Sequence, residues 1–163
     1  MVKARGAAVY KFISEWPRTA AQLGVGSGVQ PYFVEIFREM YLQRLGPERA
    51  RRVHPYRWFL DAGAVVGGGS DSFVTPIRPL WGIHAAVNHF IPEQRATVAE
   101  AVRMFTLHNA YLGFEEDQCG SLKIGKRGDA VALSDNVFTV APDAIKEIRV
   151  EMTISRGRIT YRA

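Results

Sequence analysis

The sequence predicts an α/β protein with a small all-β unit appended to it. Three observations carry this. Short β-branched, Gly-containing stretches at residues 25–29 and 64–67 are separated by helical patterning, the order of a βαβ unit, which implies parallel strands and a right-handed crossover. The second stretch runs through Gly67-Gly68-Gly69-Ser70 into Asp71, placing a carboxylate at the C-terminal end of a strand, where α/β folds keep their chemistry. Beyond Gly113 the helical periods stop, and short apolar runs alternate with Gly-rich turns.

Taken in order, residues 1–16 show no period. Lys3, Arg5 and Lys11 punctuate small and apolar residues, so this segment is left unassigned and disorder is the expectation. Residues 17–23 fit one short helix closed by Gly24. The strand at 25–29 is glycine-rich, hence closely packed or ligand-lined, and Gln30-Pro31 ends it. Phe33, Ile36, Phe37, Met40 and Tyr41 recur at helical spacing and predict an amphipathic helix packed on the core. Gly46-Pro47 stops it. A polar, basic turn follows, and Pro55 opens a second helix that ends near Gly63, directly before the strand at 64–67. After Asp71 comes a loop with Pro76 and Pro79, then a helix over 80–90. Thr97 and Glu100 form a capping box for a third helix reaching about Tyr111, with Val98, Ala101, Val102 and Phe105 on its buried face. Gly120, Gly125 and Gly128 mark a turn-rich stretch, and strands follow at 130–133, 148–154 and 159–161. The chain thus divides into an α/β part, residues 17–112, and a β-rich part, residues 113–163.

Composition bounds the function. The 163 residues suffice for one domain, and 47% hydrophobic with 23% charged residues is ordinary for a soluble protein. No apolar run approaches about 18 residues, so no membrane partner is expected, and no secretory leader is read at the N-terminus. Cys119 is the only cysteine, which excludes an internal disulfide and a thiolate metal cluster and fits a reducing, cytoplasmic location. Residues 1–60 hold 10 Lys and Arg against 4 Asp and Glu. The basic cluster Arg44, Arg49, Arg51, Arg52 and Arg57 has no nucleic-acid motif around it and reads as a solvated helical surface, so no nucleic-acid partner is expected.

Several chemical devices are absent. Gly67-Gly68-Gly69-Ser70 lacks the lysine and spacing of a phosphate loop. Ser70 is followed by Asp71-Ser72 and makes no nucleophile elbow. His54, His84, His89 and His108 contain no H-x-H and no i, i+4 pair. His54, before Pro55, reads as a surface loop residue. His84 and His89 read as facing different sides of one helix, and His108 as capping or packing near the end of its own. Trp16, Trp58 and Trp81 are dispersed and read as core. By itself, Asp71 fits a catalytic carboxylate, a helix N-cap or a loop staple. Two parallel strands with their helices do not close a sheet, since a (β/α)8 barrel takes about 250 residues. Open edges invite pairing, so self-association or a complementary N-terminal chain is expected.

An ordered set of local patterns narrows the reading. Val29-Gln30-Pro31, Leu45-Gly46-Pro47-Glu48-Arg49 and the stretch from Arg57 to Gly63 precede Gly69-Ser70-Asp71 with its Pro76 and Pro79. Glu93-Gln94-Arg95 through Ala101, and Thr106 to Ala110, follow. Then come Glu115-Glu116, Gly120-Ser121-Leu122, Gly125-Lys126, Gly128-Asp129-Ala130-Val131-Ala132-Leu133, and Thr153 to Tyr161 with Gly157-Arg158. Over roughly residues 18–163 this set resembles the C-terminal part of metal-dependent amidohydrolases, in the branch of YtcJ-like proteins and N-substituted formamide deformylases. Gly128 departs from the alanine usual in that family.

The resemblance implies the last two βα units of a TIM-like (β/α)8 barrel, incomplete as given, plus part of a small composite β-sandwich. It implies metal-dependent hydrolysis of C–N bonds of the amide or formamide type, a small-molecule amide substrate, and a divalent metal, zinc foremost. It makes Asp71 both metal ligand and catalytic residue. A divalent metal lowers the pKa of bound water toward neutrality, and a carboxylate beside it takes the proton and returns it to the leaving nitrogen. Gln30, Arg57 and Phe73 are the expected pocket residues. The family's H-x-H pair, its central Lys or Glu and its later histidines have no counterpart here. The chain alone is therefore expected to retain no metal and to be inactive. A subunit that completes a barrel with another chain, or a non-catalytic binding or structural remnant, are the alternatives.

Overall fold

Two three-residue strands set the frame. Ser27–Val29 (β1) and Val66–Gly68 (β2) run parallel, with Ser27 opposite Val66 and Val29 opposite Gly68. The structure, a computed structural model, describes residues 16–163; the expectation of disorder over 1–16 lies outside them, Trp16 excepted. Trp16–Gln22 (α1) leads into β1. The crossover to β2 comprises Phe33–Ile36 (α2), Arg38–Ala50 (α3) and Tyr56–Asp61 (α4). After β2 come a loop, Pro79–Val87 (α5), a 3-10 turn at Pro92–Gln94, Val98–Met104 (α6) and Leu107–Leu112 (α7). Ala130–Leu133 (β3), Val150–Ser155 (β4) and Arg158–Arg162 (β5) form a separate antiparallel sheet in the order β3-β4-β5. The architecture is mixed α/β, and among the described residues no helix is long and apolar enough to cross a membrane.

The core gathers against one face of the parallel pair. Val29 and Val66 meet Val34, Tyr56, Phe59, Ile83, Ala86, Ala101 and Met104. Ile145 and Ile148, from the 3-10 segment Pro142–Glu147 and just beyond it, join the same cluster, so the chain between β3 and β4 packs on the α/β part. The small sheet itself is poorly covered, and every residue of β5 is exposed.

Local structure departs from the periodicity at two breaks. The stripe of Phe33, Ile36, Phe37, Met40 and Tyr41 is not core. The helix interrupts at Phe37 (φ −105°, ψ 9°), which shifts the phase between α2 and α3. Val34 becomes the buried residue at 2% exposure, while Ile36 and Met40 stay 43% and 46% exposed. Gly46 (φ 71°, ψ 163°) ends the first part of α3 as the Gly-Pro pair predicts, but Pro47 starts a further helical stretch to Ala50 where a turn was expected. The predicted single helix to Tyr111 divides at Phe105 and Thr106, the latter at φ −130° and ψ −93°. The tryptophans are not core either. Trp16 is exposed and Trp58 half-buried. Trp81 is half-buried between the guanidinium of Arg78, 4.5 Å from its ring centre, and the ring of Tyr32 at 5.2 Å.

The capping box of α6 is complete. Glu100 N–H donates to Thr97 Oγ1 at 3.2 Å, and Thr97 N–H donates to Glu100 Oε2 at 2.8 Å. Thr97→Ala is expected to destabilise the protein by about 1 kcal/mol, and Thr97→Ser to restore most of it. Urea midpoints of the two variants check this.

Candidate active site

The glycine run is dictated by close helix packing. A Cβ on Gly67 would lie 2.4 Å from Asn109 Oδ1 and 2.4 Å from a Leu112 methyl, and one on Gly68 would lie 2.5 Å from the Phe105 ring. Gly69 N–H donates to Val29 O at 2.8 Å and completes the pairing with β1. The chain then turns out of the sheet. Thr75, 1% exposed, donates its hydroxyl to Ser70 O and pins the loop at its base. Asp71 takes a left-handed backbone, φ 51°, which aspartate tolerates better than most residues. Its carbonyl accepts from Val74 N–H at 2.7 Å. The result is an exposed Asp71 just past the C-terminal end of β2.

A cavity of about 220 Å³ opens at this strand end, lined by Tyr32, Ser70, Thr75, Arg78, Phe105 and Asn109 among others. Asp71 follows directly on Ser70 of that wall. Arg78 brings a positive charge, and Phe105 and Tyr32 bring apolar area. The cavity residues come from the segments after β1, after β2 and around α7, and residue spacing does not flag them. The run Gly68-Gly69-Ser70 and the prolines at 76 and 79, all on its wall, are the sequence signals that mark part of it.

The other pocket residues read from the sequence sit elsewhere. Gln30 follows β1, and its carbonyl accepts from Phe33 N–H at 3.1 Å. Arg57 lies on α4 and is held by Glu100 and, at 3.1 Å, by Asp61. Phe73 stands fully exposed in the loop. None of the three lines the cavity, and neither does Asp71, which is joined to its wall only through Ser70.

The histidines are packed rather than gathered. His54 is not a surface loop residue. It is half-buried, its ring lies edge-on to Phe33, and its Nε2 is 3.0 Å from Tyr41 Oη. Burial lowers its pKa to about 4. His89 lies past the end of α5 and is fully buried against Tyr56, with Nδ1 accepting from Ile91 N–H at 2.9 Å. Burial, reinforced by His54, lowers its pKa to about 4. His84, buried on α5, places Nδ1 3.2 Å from Pro142 O and Nε2 3.6 Å from Glu35, and burial lowers its pKa. His108 places Nδ1 2.9 Å from Val66 O. Among the described residues no three His, Cys, Asp or Glu side chains come together to hold a metal ion. Asp71 alone offers one carboxylate, which does not hold a divalent ion against water. These residues by themselves do not fit a catalytic metal.

The comparisons give this geometry its context. The amidohydrolase family Amidohydro_3 matches residues 17–161, and the chain belongs to that family. It corresponds to the C-terminal part of such proteins. It is similar to the Bacillus subtilis protein named as amidohydrolase YtcJ, 26% identical over 152 residues, covering 87% of this chain and 29% of that one. It is similar to the N-substituted formamide deformylase of Arthrobacter pascens, 26% identical over 149 residues, 86% of this chain and 28% of that one. The chain thus spans less than a third of these relatives. Among solved structures, an amidohydrolase from Thermotoga maritima shares the fold over 92% of this chain and 35% of its own, at TM-score 0.66 and 20% identity.

Proposed function

We propose that residues 17–112 supply the last two βα units of a TIM-like (β/α)8 barrel and residues 113–163 part of a composite β-sandwich. In this reading β2 is the eighth strand, and Asp71 is a catalytic residue of a hydrolase that acts on C–N bonds of the amide or formamide type. One observation carries it: an exposed aspartate at the C-terminal end of a parallel strand, beside a cavity, in a chain matched to the amidohydrolase family over 17–161. A carboxylate so placed takes a proton from attacking water and returns it to a leaving nitrogen. The cavity, at about 220 Å³, is smaller than the roughly 300–1,000 Å³ of a whole small-molecule site. That size fits a pocket completed by loops from other strands.

The names of the relatives support the C–N class. A divalent metal belongs to the assembled site, and zinc is the first candidate, since the structurally similar atrazine chlorohydrolase TrzN of Arthrobacter aurescens, at TM-score 0.63 and 22% identity, is described with zinc. Ligands for it must come from strands other than β1 and β2. The chain alone is accordingly inactive, and its single cysteine fits the cytoplasm. A second reading, a subunit that completes a barrel with another chain, draws on the parallel sheet, which has two strands among the described residues and does not close. A chimera joining the N-terminal portion of the Bacillus subtilis relative to residues 17–163 tests the first reading. It is expected to hydrolyse N-formyl amides, with Asp71→Asn reducing kcat about 10²- to 10⁴-fold. Equal hydrolysis by the Asp71→Asn chimera would overturn the assignment.

A further inference from the structure

We propose that α7 is a strand-edge seal: it occupies the edge of β2 that no other strand takes among the described residues, and closes it to any further strand until it moves aside. The argument begins with parallel pairing, which turns the backbone groups of alternate residues to opposite edges. Ser27 N–H donates to Val65 O and Gly69 N–H donates to Val29 O, both at 2.8 Å. Residues 65, 67 and 69 therefore face β1, and residues 66 and 68 turn their carbonyls to the other edge. On an uncovered sheet such carbonyls are a template for pairing with another strand.

Here both are taken by neighbouring residues of α7. His108 Nδ1 lies 2.9 Å from Val66 O, and because a carbonyl only accepts, that nitrogen carries the proton. Asn109 Nδ2 donates to Gly68 O at 2.8 Å. The two side chains thus stand where the N–H groups of an adjacent strand would stand. One turn further along, Leu112 lies on Gly26 and Gly67, where a Cβ would come within 2.1 Å and 2.4 Å of it. Gly67 of β2 and Gly26, just before β1, make the room that lets α7 sit there. The seal therefore involves strand and helix together.

The identity of the excluded strand rests on the proposed reading. In a closed eight-stranded barrel the eighth strand pairs on this edge with the first, so barrel closure on this chain requires α7 to release Val66 O and Gly68 O. The seal itself needs no catalysis, and its test uses the full chain in two measurements. Long-range ¹⁵N couplings in the wild-type protein give the His108 tautomer, expected with the proton on Nδ1. Light scattering after size exclusion then compares wild type with the His108→Ala, Asn109→Ala double variant over a range of concentrations. The double variant is expected to associate at concentrations at least tenfold lower than wild type. Wild-type His108 protonated only on Nε2 would overturn the proposal. So would a folded double variant whose association matches wild type. Should the double variant fail to fold, the wild-type tautomer decides. Neither readout involves amide hydrolysis, so failure of the seal and failure of the Asp71 assignment are separable.

Discussion

Acidification from pH 7.5 to pH 4.5 is expected to remove roughly 5 kcal/mol of folding stability through two histidines alone. Half-buried His54 and fully buried His89 have pKa values lowered by desolvation to about 4, whereas an unfolded histidine titrates near 6.5. As pH falls, the unfolded chain binds these protons first. The stabilisation is therefore complete above about pH 6.5 and is lost on the way down to about pH 4. At about 1.4 kcal/mol per pH unit, each histidine accounts for roughly 2–3 kcal/mol at pH 4.5. His84 acts in the same direction. The total is comparable with the stability of a small domain, so cooperative acid unfolding is expected near pH 4–5. Urea titrations at successive pH values measure it. His54→Gln keeps a partner for Tyr41 Oη without a titrating ring, and its stability should fall less steeply with pH, by roughly 2–3 kcal/mol across the interval. A variant with the wild-type pH slope would show that His54 is not held neutral.

Gly68→Ala is expected to cost about 1–3 kcal/mol by overpacking, and Gly68→Val more. The Phe105 ring lies over two glycines at once, meeting a Cβ on Gly68 at 2.5 Å and one on Gly82 at 2.2 Å. No small rotation relieves both contacts. Phe105→Leu should be destabilising by itself yet recover part of the loss when combined with Gly68→Ala, giving a coupling of about 0.5–3 kcal/mol. A double-mutant cycle by thermal unfolding reads this directly. Additive losses would show that the ring does not set the glycine requirement. Because both Gly68 and Phe105 line the cavity, the same pair also sets its shape.

The positions of the strands were legible because their signals are local. β-branched residues run into glycine at β2, turns bracket β3 to β5, and Thr97 with Glu100 announces α6. Asp71 at a strand end was legible for the same reason. The breaks at Phe37 and at Phe105–Thr106 were not, because apolar periodicity continues through both. At the second break tertiary packing decides: Phe105 turns onto Gly68 and Gly82, and α7 turns toward the edge of β2. His54 was misread for a related reason. The surroundings of His54 come from Phe33 and Tyr41, 21 and 13 positions earlier, and no spacing rule links them. The cavity combines Tyr32, Arg78 and Asn109 from three separate segments, so its wall emerges only on folding.

Zinc retention by the full chain is the most direct test of the claim that Asp71 holds an active-site position whose partners lie elsewhere. The protein and its Asp71→Asn variant are incubated with excess zinc, dialysed, and analysed for bound metal and for hydrolysis of N-formyl amides. The expected result is well below one zinc per chain, no difference between the two proteins, and no hydrolysis. One tightly held zinc per chain, lost together with amide hydrolysis in Asp71→Asn, would contradict it.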